Sequence, residues 1–112
     1  MSDFRGLVVW QKSMHLAHVV YLATKMLPDD ERYGLSSQRR RCAVSIPSNI
    51  AEGSKRRTKQ DFMQFLKISS GSAAELETQL LLSDEIYGLK ISDALVLLKE
   101  VQKMLEALMK RL

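Results

Sequence analysis

Apolar residues along the chain recur at spacings of three and four in four long stretches, which is typical of helices with a buried face. The predicted helices run from about Val8 to Leu27, from Ser36 or Ser37 to Gly53, from Thr58 to Ile86 and from Ser92 to Leu112. Short connections between long helices favour neighbours that run in opposite directions. The pattern predicts an all-α protein in which residues 1–112 form a single domain, an antiparallel up-down-up-down four-helix bundle.

Three of the predicted helices begin at residues that favour a helix start. Ser36 or Ser37 is placed to cap the second helix, and Ser92 is placed to cap the fourth. Thr58, with Asp61 three residues later, resembles a capping box for the third. These side chains are expected to accept hydrogen bonds from the first free backbone N–H groups of each helix.

The second predicted helix has an apolar face and a polar stripe. Its inward face consists of Cys42, Ile46, Asn49, Ile50 and Gly53. The polar stripe consists of Arg41, Ser45, Ser48 and Glu52. We interpret the stripe as a seam that orients helix packing, with Glu52 paired to an arginine of a neighbouring helix, and phosphate binding by the serines is the alternative. Asn49 is interpreted as a buried amide that fixes register rather than as a reader of bases.

The first predicted helix carries more apolar surface than one buried face requires. Two apolar stripes account for most of the helix, and a third patch on its far side consists of Val8, Val19, Leu22 and Met26. An exposed apolar patch on a soluble protein commonly marks an interface between subunits. We therefore predict a homo-oligomer with this patch in its interface, and the alternative is a monomer whose core covers the helix thickly.

The composition excludes several classes of protein. Five glycines and two prolines are too few for the closely spaced turns of an all-β sandwich or barrel. One cysteine, Cys42, rules out a disulfide framework and fits a reducing compartment. The amino terminus shows no secretory signal, and no apolar run reaches the ~18 residues of a membrane span. We expect a cytoplasmic protein that makes no membrane contact.

Few groups of side chains suggest catalysis or metal binding. His15 and His18 are three apart on the first helix, but no carboxylate accompanies them to complete a metal site. Glu75 and Glu77 point to opposite sides of the third helix, so they cannot act as an acid–base pair. No phosphate-binding loop, nucleophile elbow or metalloprotease motif occurs. We expect no catalytic residue, no metal, no cofactor and no enzymatic activity.

Positive charge is concentrated in the middle of the chain. The net charge is +4, yet between Arg39 and Lys67 eight basic residues face only two acidic ones. One basic cluster near the start of the second helix consists of Arg39, Arg40 and Arg41. The other follows the end of that helix and consists of Lys55, Arg56, Arg57 and Lys59. The helix between them would hold the two clusters about 20 Å apart at ~1.5 Å per residue.

Both basic clusters indicate contacts with phosphate, because guanidinium groups bind phosphate through paired hydrogen bonds. Few aromatic residues adjoin the clusters in the sequence. Backbone contacts with little reading of base sequence are therefore expected, to RNA or to DNA. The alternatives are a solvated surface with no ligand and a docking site for an acidic surface of a partner protein.

Several stretches of the sequence resemble those of a known family. They are Ser45–Gly53, Tyr33–Gln38 followed by Arg40 and Arg41, Gly71–Leu80, Phe4 with Arg5, and Val9–Lys12. Together they resemble the small four-helix-bundle proteins encoded within intervening sequences of bacterial 23S ribosomal RNA genes, which are sometimes called ribosomal proteins. The resemblance covers nearly the whole chain. Lys55 replaces a smaller residue, and Cys42 an alanine, of the family pattern.

The resemblance implies an antiparallel four-helix bundle assembled as a ring-like homopentamer with a role in binding nucleic acid, and for this chain we expect RNA. A more distant relative with the same architecture is the accessory protein of diversity-generating retroelements, which works with a reverse transcriptase on RNA. A second hypothesis follows, a protein-interaction scaffold or accessory subunit for a partner such as a reverse transcriptase. The family provides no catalytic residues to carry over.

Overall fold

The computed structural model describes residues 3–112 and contains four α-helices. They are α1 (Val8–Thr24), α2 (Leu35–Ser54), α3 (Lys59–Tyr87) and α4 (Ser92–Arg111). Single 3-10 turns at Phe4–Gly6 and Asp29–Glu31 precede α1 and α2. No strand occurs among residues 3–112, so the prediction of an all-α protein with four helices is confirmed. No helix in this described range is long and apolar enough to cross a membrane.

The core lies between the four helices because each helix contributes one apolar face to it. α1 packs on α2 and α4, and α3 packs on the same two helices. The fully buried aliphatic side chains are Leu16, Val20, Ile46, Ile50, Leu66, Leu76, Leu80, Leu98, Val101 and Leu105. Burial of each contributes about 1.5–3 kcal/mol before the entropy of folding is counted. Ile46 and Ile50 therefore lie inward as their spacing on α2 predicts.

Small residues allow α2 and α3 to approach closely. A Cβ atom placed on Gly53 would lie 2.6 Å from Cβ of Phe65 and 2.9 Å from Cδ1 of Phe62. Ser69 Oγ donates a hydrogen bond to the carbonyl of Ile46 at 2.9 Å. The hydroxyls of Ser45 and Ser72 are 2.8 Å apart. Ser45 thus takes part in helix packing, as the interpretation of the polar stripe as a seam requires.

Asn49 bonds within its own helix. Its Nδ2 donates to the carbonyl of Ser45 at 2.8 Å and to Ser45 Oγ at 3.0 Å. The amide is half-buried and supports the hydroxyl that contacts Ser72. Any effect of Asn49 on helix register therefore acts through Ser45.

The first predicted helix end is wrong by three residues. α1 ends at Thr24 rather than Leu27. The next residues form a turn in which the N–H of Leu27 donates to the carbonyl of Thr24 at 3.1 Å. Leu27 is nevertheless buried. The spacing of apolar residues therefore identified a buried position correctly, although that position lies beyond the end of the helix.

Two of the three predicted caps are wrong. α2 begins at Leu35, and Glu31 Oε1 accepts from its N–H at 3.2 Å, so neither Ser36 nor Ser37 is the cap. Ser92 is the first residue of α4, and Ile91 precedes it without a side-chain cap. The third cap is confirmed, because Thr58 Oγ1 accepts from the N–H of Asp61 at 3.1 Å. α3 ends at Tyr87, and the next residue, Gly88, has a φ of 64°, a left-handed conformation that favours glycine.

Candidate nucleic-acid interface

Arg39 does not belong to the exposed basic surface. Its side chain is fully buried, and none of its three guanidinium nitrogens has a hydrogen-bond partner within the described part of the chain. Successive residues of a helix point about 100° apart, so three adjacent arginines cannot share one face. Burial and the neighbouring charge of Arg40 lower the pKa of Arg39. The prediction that Arg39 contacts nucleic acid is therefore wrong for the folded protomer, because phosphate cannot reach it.

Arg40 is held in place by two contacts with α1. Its Nε donates to Thr24 Oγ1 at 2.9 Å. Its guanidinium carbon lies 4.8 Å from the ring centroid of Tyr21, within the range of a cation–π contact. Arg40 is half-buried, so its guanidinium is oriented before any ligand binds.

A groove of about 640 Å³ lies beside Arg40, and we call it the tyrosine–arginine groove. Its lining residues are Tyr21, Arg32, Tyr33, Ser37, Arg40, Arg41, Val44 and Ser45. Over residues 3–112, no carboxylate oxygen lies within 4.0 Å of a side-chain nitrogen of Arg32, Arg40 or Arg41. The groove therefore combines uncompensated positive charge with two aromatic rings.

Sequence reasoning missed the aromatic part of this groove. Tyr21 falls in an apolar stripe of the first helix, and Arg32 and Tyr33 fall in a connection. The basic clusters have few aromatic neighbours along the sequence, as expected. In the folded chain, however, Tyr21 and Tyr33 lie beside the arginines of the first cluster. No periodicity links the three segments, so only their packing brings them together.

The second cluster keeps its exposed position at the opposite end of α2, and we call it the α2–α3 cluster. Its residues are Lys55, Arg56, Arg57 and Lys59. Arg56 Nη2 lies 2.8 Å from Glu52 Oε2, so the partner of Glu52 follows it in the chain and is not on a neighbouring helix. The guanidinium carbon of Arg56 also lies 4.8 Å from the ring centroid of Phe65. Arg57 and Lys59 have no such ion pair in the described chain.

The residues predicted for the subunit interface differ in exposure. Val8, Leu22 and Met26 are 56%, 50% and 75% exposed, which is unusual for such side chains in a single protomer. Val19 is half-buried and packs against the core, so it is less exposed than the other three predicted interface residues. The other three are exposed, Val8 and Leu22 on α1 and Met26 in the turn that follows. We call them the exposed apolar strip.

A second groove, the α1–α2 groove, is mostly apolar. Its lining residues are Phe4, Trp10, Met14, Ala17, Val44, Pro47, Ser48 and Ala51, around a volume of about 400 Å³. Val44 lines both this groove and the tyrosine–arginine groove. The two grooves therefore adjoin along α2.

The remaining reactive side chains form no site. Burial and the charge of Glu75 raise the pKa of the Cys42 thiol, which keeps it protonated and weakly nucleophilic. His15 and His18 are exposed. Within the described range, no three residues among histidine, cysteine, aspartate and glutamate are grouped to hold a metal ion.

Comparison with known proteins identifies the family. The sequence profile of the 23S rRNA-intervening sequence protein family matches residues 5–110. The chain belongs to that family. The resemblance noted in Ser45–Gly53 and the other stretches is thereby confirmed, and the tyrosine–arginine groove is a feature of a 23S rRNA-intervening sequence protein.

A crystal structure supports the same assignment. It is that of a protein of unknown function from the S23 ribosomal protein family of Bacteroides thetaiotaomicron. The two structures align with a TM-score of 0.81 and 26% sequence identity, over 92% of this chain and 96% of the other. The comparison with curated proteins found no match to this chain.

Proposed function

We propose that this protein is a non-enzymatic nucleic-acid-binding protein that contacts the phosphate backbone, chiefly of RNA, with little sequence specificity. The observation that carries the proposal is the pair of exposed cationic surfaces at opposite ends of α2. Among the residues described, no carboxylate lies within 4.0 Å of the side-chain nitrogens of the groove's arginines or of any α2–α3 cluster residue except Arg56. Phosphate is the ligand that such guanidinium groups bind most readily.

The proposal includes an antiparallel bundle assembled as a homo-oligomer, with a pentameric ring as the state implied by the family resemblance. Contacts between α2 and α3 support the antiparallel arrangement, because Ser45 meets Ser72, Ile46 meets Ser69 and Gly53 approaches Phe65. The exposed apolar strip supports self-association. A ring would present each cationic surface several times to one nucleic acid and so raise its effective concentration.

The test is a salt titration of binding to single-stranded and duplex RNA. Replacing Arg57 and Lys59 by glutamine should weaken binding to all sequences alike and flatten the salt dependence. Each lost phosphate contact should reduce the log–log slope on single strands by about 0.7. The matched control is Lys103→Gln with Lys110→Gln, which removes the same charge from exposed positions of α4.

The outcomes of this test separate the two hypotheses. Equal losses for both double variants would show that only net charge matters. If the parent protein binds no nucleic acid at low salt, the proposal fails. The alternative is a scaffold or accessory subunit for a protein such as a reverse transcriptase, and the apolar α1–α2 groove favours it because apolar grooves commonly receive protein side chains. A cytoplasmic location fits either function.

A further inference from the structure

We infer that the tyrosine–arginine groove binds one unpaired nucleotide of a single strand, with the base against Tyr33 and the adjoining phosphate at Arg41 and Arg40. The inference rests on the proposed function and names the form of nucleic acid that this end of α2 selects. It assigns different ligand forms to the two cationic surfaces. The groove takes single strands, whereas the α2–α3 cluster contacts any phosphate backbone.

Tyr33 provides a free aromatic face at the edge of the groove. Its side chain is 87% exposed, which leaves the ring open to solvent. Bases stack on exposed aromatic side chains whatever their sequence, because every base has a π face. A base within a duplex is already stacked on its neighbours, so only an unpaired base can lie against Tyr33.

The other groove residues suit the rest of a nucleotide. Arg40 is fixed by Tyr21 and Thr24, so it loses little side-chain entropy when it binds an anion. Arg41 is exposed beside it, and Val44 adds an exposed apolar surface. The volume of about 640 Å³ lies within the ~300–1,000 Å³ of typical small-molecule sites.

Two acidic residues lie near this site. Glu75 lines a crevice with Arg41 but lies more than 4.0 Å from its side-chain nitrogens. Asp29 lines a smaller crevice together with Lys25, Arg32 and Arg40. It forms no ion pair within 4.0 Å in the described chain, and the crevice contains three cations. The local charge therefore remains favourable for phosphate.

The α2–α3 cluster lacks a comparable aromatic platform. Phe65 is half-buried and already contacts the guanidinium of Arg56. Arg56 in turn is paired with Glu52. Phe4, whose ring centroid lies 5.8 Å from Lys55 Nζ, is half-buried as well. This cluster offers charge without a free ring, so it should not distinguish single strands from duplexes.

Photocrosslinking of the unmodified protein gives a direct test. The probes are short oligonucleotides that carry 5-iodouracil, one a single-stranded RNA and one a single-stranded DNA. We expect mass spectrometry to place the crosslink of both on Tyr33, because stacking does not require the ribose 2′-hydroxyl. Crosslinks confined to Trp10 or Phe65 would overturn the inference.

Substitution of Tyr33 tests the energetics. Tyr33→Ala should weaken binding of single-stranded oligouridine by about fivefold or more, as loss of one stacked base implies. The salt slope should not change, because no charge is removed, and duplex RNA should bind as it does to the parent. Tyr33→Phe keeps the ring and should bind like the parent. Arg41→Gln, in contrast, should flatten the salt slope.

The failure of this inference is distinguishable from failure of the proposed function. If the parent binds RNA with a steep salt slope but Tyr33 neither crosslinks nor affects binding, only the inference fails. If the parent binds neither single strands nor duplexes at low salt, both fail. Tyr33-dependent capture of poly-glutamate without capture of RNA would make the groove a protein-docking site. Should Tyr33→Ala alter the oligomer mass, the crosslink in the parent protein decides.

Discussion

At the scale of single residues, Arg39 stands out because its charged side chain is fully buried and has no hydrogen-bond partner among residues 3–112. Removing a charge from water costs several kcal/mol unless other groups compensate it. Its neighbours on the inward face of α2, Ala43 and Ile46, are apolar and fully buried. Arg39 therefore reduces the stability of the protomer while its aliphatic part fills space.

Arg39→Met should stabilise the protein. Methionine is unbranched and adapts to the space that the arginine stem fills, and it carries no charge. We expect the free energy of unfolding to rise by about 1–4 kcal/mol, as found when buried charges are replaced by apolar residues of similar volume. Urea denaturation at fixed protein concentration measures it, since the stability of an oligomer depends on concentration.

The control for Arg39→Met is Arg57→Met at an exposed position, which should change the free energy of unfolding by no more than about 0.5 kcal/mol. A loss of stability in Arg39→Met would contradict this account. It would show that the assembled protein supplies Arg39 with a partner such as a carboxylate or an ordered water.

At the scale of helices, the contact between α2 and α3 depends on the missing side chain of Gly53. Gly71 provides a matched comparison, because it also lies within a helix but a Cβ there would meet no atom within 4 Å. Gly53→Ala should lower the free energy of unfolding by about 1–3 kcal/mol, since the added methyl group collides with Phe65. Gly71→Ala should raise it by about 0.5–1 kcal/mol through helix propensity alone. Thermal or urea unfolding of both variants measures the difference.

The two substitutions also locate contacts outside the protomer. A destabilised Gly71→Ala variant would mean that another copy packs against this exposed part of α3. A Gly53→Ala variant as stable as the parent would contradict the close approach of α2 and α3.

The helices and their inward faces were predictable because apolar spacing records which side of a helix is buried. Helix ends were harder, since a cap depends on which polar group is nearest in space, and Glu31 rather than a serine bonds the start of α2. The division of the basic residues into two clusters was predictable from the sequence. That Arg39 is buried and that Arg40 lines a groove with aromatic rings was not. Tyr33 joins Arg40 at one groove only because α1, the connection after it and α2 pack together.

At the scale of the whole molecule, exposed apolar side chains lie on more than one helix. On α1, Val8 and Leu22 are 14 residues apart, or about 21 Å at ~1.5 Å per residue, and point in directions about 40° apart, while Met26 follows in the turn. A further group lies on α3 and consists of Ile68, Leu81, Leu82 and Ile86. Contact between two different surfaces of successive copies generates a ring when the rotation closes. Exposed apolar side chains on two different helices are what such a contact requires.

Leu22→Glu combined with Met26→Glu should dissociate the oligomer. Both side chains are at least half exposed, so the protomer loses little packing when they change, whereas Val19 contributes to the core and is unsuitable for this test. A charge buried without a partner in an interface costs several kcal/mol, enough to separate subunits at micromolar concentration. Light scattering should show an oligomer for the parent and a monomer mass for the variant, with helix content retained by circular dichroism.

Val96→Glu, at an exposed position of α4, is the control and should leave the mass unchanged. A parent protein that is monomeric at micromolar concentration would contradict the assembly, and an oligomeric double variant would move the interface away from this strip.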